Sequence, residues 1–317
     1  MAIYFGVLLA TCTVMISGCT KDFGPGDKTW HAQVDSHRKK VDVGGYCLNV
    51  VDKGEGEPVV MIHGFADSAY SFHKNIQTVL DLGFRVILPE QPGLGKSEAP
   101  LEPYIYSVEN QAEAILILLD NLGIDRFFVV GHSMGGGIAL YLAAHHPKRI
   151  KKAMIIDGAC YEPKRYRLLT MPGIAWIGKA IAGKWIVRLA LYDVFQDNLK
   201  VTESMVSEYA QPLKKPEYIP VLAKLLEQYF SKEHDVMSRT YAHLSVPLNV
   251  VWGQQDTWIP PEFGRKLAAE VPNASFHLLK DAGHSPHQEQ SEKFNSLLYM
   301  FLTDCGTAMW GQPFGRF

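Results

Sequence analysis

Short apolar runs alternate along this chain with longer stretches in which apolar residues recur every three or four positions. The short runs are Pro58–Ile62, Phe84–Leu88, Arg126–Val130, Lys152–Ile156, Leu248–Trp252 and Ser275–Leu279, each bounded by turn-forming residues. Their length and β-branched content predict strands. Arg38–Val43 and Tyr46–Val51, split by Gly44-Gly45, predict a hairpin ahead of them. Between the runs, helical periodicity covers Asn75–Leu82, Val108–Leu122, Gly135–His146, Pro261–Ala269 and Glu292–Leu302. Strands that are apolar throughout, alternating with helices, predict an α/β fold: a mostly parallel central sheet flanked by helices on both faces. The alternation stops between about Tyr161 and Ala242, where only helical and loop patterns occur. That stretch is expected to be a helical cap inserted over the sheet. The expected organisation is a core at 30–160 and 243–305, a cap at 161–242 and a tail at 306–317.

Composition narrows the function classes. Of 317 residues, 47% are hydrophobic and 20% charged, so a sizeable core is available and disorder is excluded as the general state. With 31 basic and 33 acidic side chains the formal charge is −2, which offers nucleic acid no attraction. Five cysteines in this length do not make a disulfide scaffold, and no disulfide is expected.

The first 20 residues differ from the rest. None is charged, and Ile3–Ile16 is mostly apolar before Ile16-Ser17-Gly18-Cys19 and the polar residues from Lys21 onward. This reads as a signal peptide at 1–18 followed by a Gly/Pro-rich tether at 19–29. The sequence Ile-Ser-Gly-Cys resembles the bacterial lipobox, which implies cleavage before Cys19, lipid attachment to it and, with Thr20 next, sorting to a Gram-negative outer membrane. A single-span anchor and a secreted form are the alternatives, and each leaves the domain outside the cytoplasm.

Candidate chemistry is concentrated in three places. Gly131-His132-Ser133-Met134-Gly135 falls between a predicted strand and a predicted helix. A strand-to-helix turn this tight needs small residues two before and two after the serine, and it pushes the Ser133 hydroxyl out of the sheet edge. A serine hydroxyl is a weak nucleophile near neutral pH, so it needs a base and a group to orient that base. Asp256, in Gly-x-x-Asp-x-x-x-Pro after one strand, and His284, after the last strand, supply both on the sheet edge where Ser133 lies. Asp157 also ends an apolar strand and is the competing acid, while Asp281 reads as a loop residue. Gly95-Lys96-Ser97 hints at a phosphate loop, but Glu90 occupies the position where that loop needs glycine.

Taken together, His63-Gly64-Phe65, Pro92–Ser97, GHSMGG, Trp252–Pro260 and Ala282–Gln290 resemble the landmarks of the α/β-hydrolase superfamily, in its order and over about His37 to Leu302. The resemblance implies Ser133 as nucleophile, His284 as general base and Asp256 as the acid orienting it. It also implies an oxyanion hole from the backbone N–H groups of Phe65 and Met134. No cofactor or metal is implied. His287 and Glu289 resemble a feature that packs behind the catalytic histidine, His132 reads as a structural elbow residue, and His63 as a brace for the oxyanion loop.

The expected activity is hydrolysis of a carboxylic ester, small or lipid, through an acyl-enzyme, with the membrane as partner through the lipid anchor and no nucleic acid. The alternatives are a carbon–carbon bond hydrolase of the same fold and a non-catalytic binding lipoprotein. The cap sharpens the lipid reading: between Tyr161 and Leu191 six basic side chains stand against one acidic, Glu162, interleaved with Trp176, Trp185 and aliphatic residues. Such a stretch suits an interfacial lid, or a cap helix with solvated lysines.

Overall fold

Valine, isoleucine and leucine are the commonest apolar residues of the strands, and alternate side chains enter two separate cores. The computed structural model describes residues 26–161, 183–229 and 240–303. Its sheet has eight strands: β1 (Arg38–Asp42), β2 (Cys47–Lys53), β3 (Pro58–Ile62), β4 (Arg85–Pro89), β5 (Phe127–His132), β6 (Ile150–Ile156), β7 (Leu248–Gly253) and β8 (Ala274–Leu279). They lie in the order β1-β2-β4-β3-β5-β6-β7-β8. β1 and β2 form the expected hairpin, β2 meets β4 antiparallel, and every later pairing is parallel. On β3, Val60 and Ile62 enter one core while Val59 and Met61 enter the other. On β7, Val250 and Trp252 face the first core and Val251 the second. A strand buried on both faces is apolar at nearly every position, as β3 is from Val59 to Ile62.

Helices close both faces. The first core is covered by α3 (Val108–Asn121), α4 (Met134–His145), α7 (Tyr218–Tyr229) and α8 (Pro261–Glu270). The second is covered by α1 (Lys28–Val34), α2 (Ile76–Asp81), α6 (Glu203–Tyr209) and α10 (Ser291–Thr303). α4 packs against β5 and β6 at the centre and is buried nearly all round, so it shows almost no polar stripe.

Two departures from the sequence reading stand out. The segment expected as tether up to residue 29 is already folded at its end: α1 begins at Lys28, capped by the Asp27 carboxylate, which accepts the N–H groups of Thr29 and Trp30. Only Trp30 and Val34 mark its buried face, one helical turn apart, which is too little periodicity to read from sequence. Trp30 is 2% exposed and meets Tyr70 edge to face at 5.8 Å. The second departure concerns the basic cap. Of its six cations, Lys184 and Arg188 lie on α5 (Lys184–Val194), and both approach Glu203 at the start of α6, so part of the positive charge is offset within the fold. Lys164, Arg165, Arg167 and Lys179 lie outside the described residues, as do the signal segment with Cys19 and the tail. Among the described residues no helix is long and apolar enough to cross a membrane. Cys47 and Cys160 are free thiols.

If α1 belongs to the folded unit, Trp30→Ala will lower the unfolding free energy by about 3–5 kcal/mol, the cost of emptying a buried aromatic site. Urea unfolding checks this, and an unchanged midpoint would place α1 outside the cooperative unit.

Candidate active site

The turn between β5 and α4 is built by backbone contact. A Cβ on Gly131 would lie 2.2 Å from the Gly135 carbonyl oxygen, and one on Gly135 would lie 2.2 Å from that of Ile62 on β3. Only glycine fits at either position. Ser133, between them, has φ 51 and ψ −116, a conformation that costs a non-glycine residue on the order of 1–3 kcal/mol and is held here by its surroundings. Its N–H donates to Ile156 O (2.9 Å) and its carbonyl accepts from Ala159 N–H (2.9 Å), which ties the turn to β6 and the loop after it.

Ser133, His284 and Asp256 come together at the C-terminal edge of the sheet. His284 Nε2 lies 2.9 Å from Ser133 Oγ, and His284 Nδ1 lies 2.8 Å from Asp256 Oδ2. The carboxylate accepts, so Nδ1 carries the hydrogen and Nε2 presents its lone pair to the serine hydroxyl. The loops carrying the acid and the base touch: a Cβ on Gly253 would lie 1.9 Å from Gly283 O. His284 N–H donates to Val194 O (2.8 Å) at the end of α5 in the cap, and its ring stacks on Trp258, 5.8 Å between centroids. Asp256 Oδ1 accepts from the N–H groups of Trp258 (2.7 Å) and Ile259 (3.0 Å). Burial alone would raise the Asp256 carboxyl. The adjacent His284 ring, the hydrogen bonds from His284 and Asp157, and the Ile259 N–H bring it below its ordinary value.

Gly64 packs on the nucleophile, since a Cβ there would lie 3.2 Å from Ser133 Cβ. Phe65 follows it, and Met134 is the first residue of α4, where a backbone N–H has no partner inside the helix. His63 braces this loop: Nδ1–H donates to Gly64 O (2.9 Å) while Nε2 accepts from Gln91 N–H (3.3 Å). Tyr229, at the end of α7 in the cap, donates its hydroxyl to Met134 O at 2.5 Å.

The remaining candidates are structural. His132 Nε2–H donates to His284 O (2.8 Å), a clamp between nucleophile and base loops that the sequence reading did not contain. His287 Nε2 pairs with Ser71 Oγ (3.1 Å), and Glu289 Oε2 accepts from Gly283 N–H (2.7 Å) one residue before His284. Asp281 has φ 57 and accepts from Gln290 through its backbone carbonyl (2.7 Å), as suits a loop residue. Glu90 accepts the N–H of Lys96 (2.6 Å) and the Asn49 amide (2.9 Å), which ties the loop before Ser97 to β2. Polar atoms of Asp157, Asp256 and His284 lie within 4.8 Å of one another, but both His284 nitrogens are committed at hydrogen-bonding distance. A metal ion bridging them would need ligands at about 2 Å.

The alpha/beta hydrolase fold family matches residues 57–205. The 2-hydroxy-6-oxononadienedioate/2-hydroxy-6-oxononatrienedioate hydrolase 2 of Pseudomonas putida is 30% identical over 262 residues, 80% of this chain and 91% of that protein. The 2-hydroxy-6-oxo-6-phenylhexa-2,4-dienoate hydrolase of Burkholderia cepacia is 29% identical over 265 residues, 82% of this chain and 92% of that one. The solved structure of the enzyme so named from Rhodococcus sp. strain RHA1 superposes with a TM-score of 0.72 at 21% identity, covering 84% of this chain and 98% of that one. The chain belongs to the α/β-hydrolase superfamily.

The buried histidines set the acid stability. Burial pushes His63 and His73 down to about 4 and His132 to about 3, and holds His287 well below its usual range. An unfolded histidine titrates near 6.5, so below that pH the unfolded chain binds protons that the folded chain refuses. Burial also pushes Asp67 up to about 7 and raises Asp157, and these two act in the opposite sense, keeping protons that the unfolded chain has released. The lowered histidines, His277 among them, outnumber the two raised carboxyls, so the unfolded chain takes up more protons than the folded one. Stability should then fall as pH drops from about 6 toward 4. Urea midpoints across that window test the account, and a flat profile contradicts it.

Proposed function

We propose that this protein is a serine hydrolase that attacks a substrate carbonyl carbon with Ser133. The observation that carries the proposal is the continuous relay from Ser133 Oγ through His284 to Asp256, at 2.9 and 2.8 Å. In the first step His284 Nε2 takes the hydroxyl proton as Oγ bonds to the carbonyl carbon, and Asp256 stabilises the imidazolium that forms. The N–H groups of Phe65 and Met134 are assigned to the developing oxyanion, with the N-terminus of α4 adding its positive dipole end. His284 then returns the proton to the leaving group, and water repeats the sequence on the acyl-enzyme.

Two readings of the scissile bond remain. The curated relatives cited above are named for dienoate or dienedioate substrates, and they support carbon–carbon cleavage of such a compound over the ester hydrolysis expected from sequence. An ester is supported by the chemistry of the relay: an alkoxide leaving group needs no more than the one proton that His284 takes from Ser133 Oγ, 2.9 Å away.

The test is hydrolysis of 2-hydroxy-6-oxo-6-phenylhexa-2,4-dienoate and of p-nitrophenyl esters from acetyl to palmitoyl, with Ser133→Ala beside the wild type. Turnover of at least one class should fall by about 10⁴-fold or more in the mutant. The class that turns over chooses the bond, and activity that survives Ser133→Ala would refute the proposal.

A further inference from the structure

A second carboxyl lies directly behind the acid of the relay. Asp157 follows β6 and Asp256 follows the neighbouring parallel strand β7, so the fold delivers both acids to one point of the sheet edge. Asp157 is fully buried and Asp256 is 5% exposed, and a carboxyl oxygen of one lies within 4.8 Å of a carboxyl oxygen of the other. Two carboxylate charges this close in a dry site repel strongly, so one of the pair keeps a proton. Donor supply decides which acid keeps the proton. Asp256 receives three donors: the N–H groups of Trp258 and Ile259 and the Nδ1–H of His284. Asp157 receives one, from Gly253 N–H to Oδ1 at 2.9 Å, and its Oδ2 is buried without any donor. Asp157 is also held at φ 44, outside the region aspartate favours, and its N–H is fastened to Val251 O at 3.0 Å.

Resting on the serine-hydrolase reading, we propose that Asp157 is a positioning residue that stays protonated on Oδ2 and donates to the Asp256 carboxylate, so that Asp256 alone carries the negative charge facing His284. The titratable groups around it are Asp256 and His284, on the loops after β7 and β8, Glu289 of α9 (Pro286–Glu289), and His132, held neutral. Burial first, and then the Asp256 charge, favours the neutral form of Asp157. The shared proton draws electron density from Asp256 and tempers its hold on the imidazolium. The competing acid read from the sequence thus becomes a support for the chosen one.

The experiment follows phosphonylation of Ser133 by a fluorophosphonate as a function of pH, a readout that needs no knowledge of the natural substrate. Asparagine keeps both roles, accepting from Gly253 and donating to Asp256. Asp157→Asn is therefore expected to react within about three-fold of wild type with its acid limb unmoved. Asp157→Ala removes the donor, Asp256 becomes more basic and holds the imidazolium more tightly, and the acid limb moves up by about half a pH unit or more. A loss in Asp157→Asn as large as in Asp256→Asn would mean that Asp157 works as a charge, and an unmoved limb in Asp157→Ala would mean that it only fills space; either overturns the proposal. The infrared difference spectrum of wild type minus Asp157→Asn at neutral pH gives a second readout. A protonated-carboxyl band is expected, and its absence overturns the proposal directly. Should folded wild type fail to react at Ser133, the hydrolase reading falls, while the infrared band still decides the state of Asp157.

Discussion

The close passage of backbones at Gly131 and Gly135 is the constraint on which the site depends. Side chains at either position would meet carbonyl oxygens at 2.2 Å, so β5, the turn and α4 come together only because both are glycine. That approach forces Ser133 to φ 51 and stands its hydroxyl beyond the sheet edge, at the start of a helix whose first N–H groups have no internal partners. The same edge receives the acid and base loops, and these too meet backbone to backbone, Gly253 on Gly283. Hydrogen bonds then hold the loops in place. His132 links the nucleophile turn to His284 O, Glu289 holds Gly283 N–H, and Val194 of the cap receives His284 N–H. The cap helix that ends at Val194 therefore helps to position the base.

Electrostatics follows from burial around this frame. His63, His132 and His287 are too deeply enclosed to charge near neutral pH, and the carbonyls facing His63 Nδ1 and His132 Nε2 make those two rings neutral donors with fixed tautomers. His284 differs in having a carboxylate on one nitrogen and a hydroxyl on the other. Of the two acids behind it, the one with three donors carries the charge and the one with a single donor does not. Geometry thus assigns unlike roles to chemically identical groups.

The fold was largely legible from the chain, because strands buried on both faces announce themselves as unbroken apolar runs and the flanking helices keep a regular spacing. The eight strands fall where the runs predicted them, and each predicted helix is present with its ends shifted by at most a residue or so. The nucleophile turn was legible because its glycines are a steric requirement written into a short window. What escaped the reading depends on contacts distant in sequence. The α1 helix shows only Trp30 and Val34 as an apolar face, and its anchoring to Tyr70 and Glu208 is tertiary. The clamp from His132 to His284 spans 152 residues, and the pairing of Asp157 with Asp256 appears only when β6 and β7 lie side by side. Neighbouring cations did not reveal their partners either: Lys184 and Arg188 read as a free basic face, yet both turn toward Glu203.

The central claim is that one sheet edge makes a single serine out of the whole chain reactive. Peptide mapping by mass spectrometry after treatment of the folded protein with a fluorophosphonate tests it most directly. One adduct, on the peptide bearing Ser133, strongly reduced in His284→Ala and absent from Ser133→Ala, is the result expected. An adduct on another residue, or an unmodified Ser133 in protein that is demonstrably folded, would contradict the account.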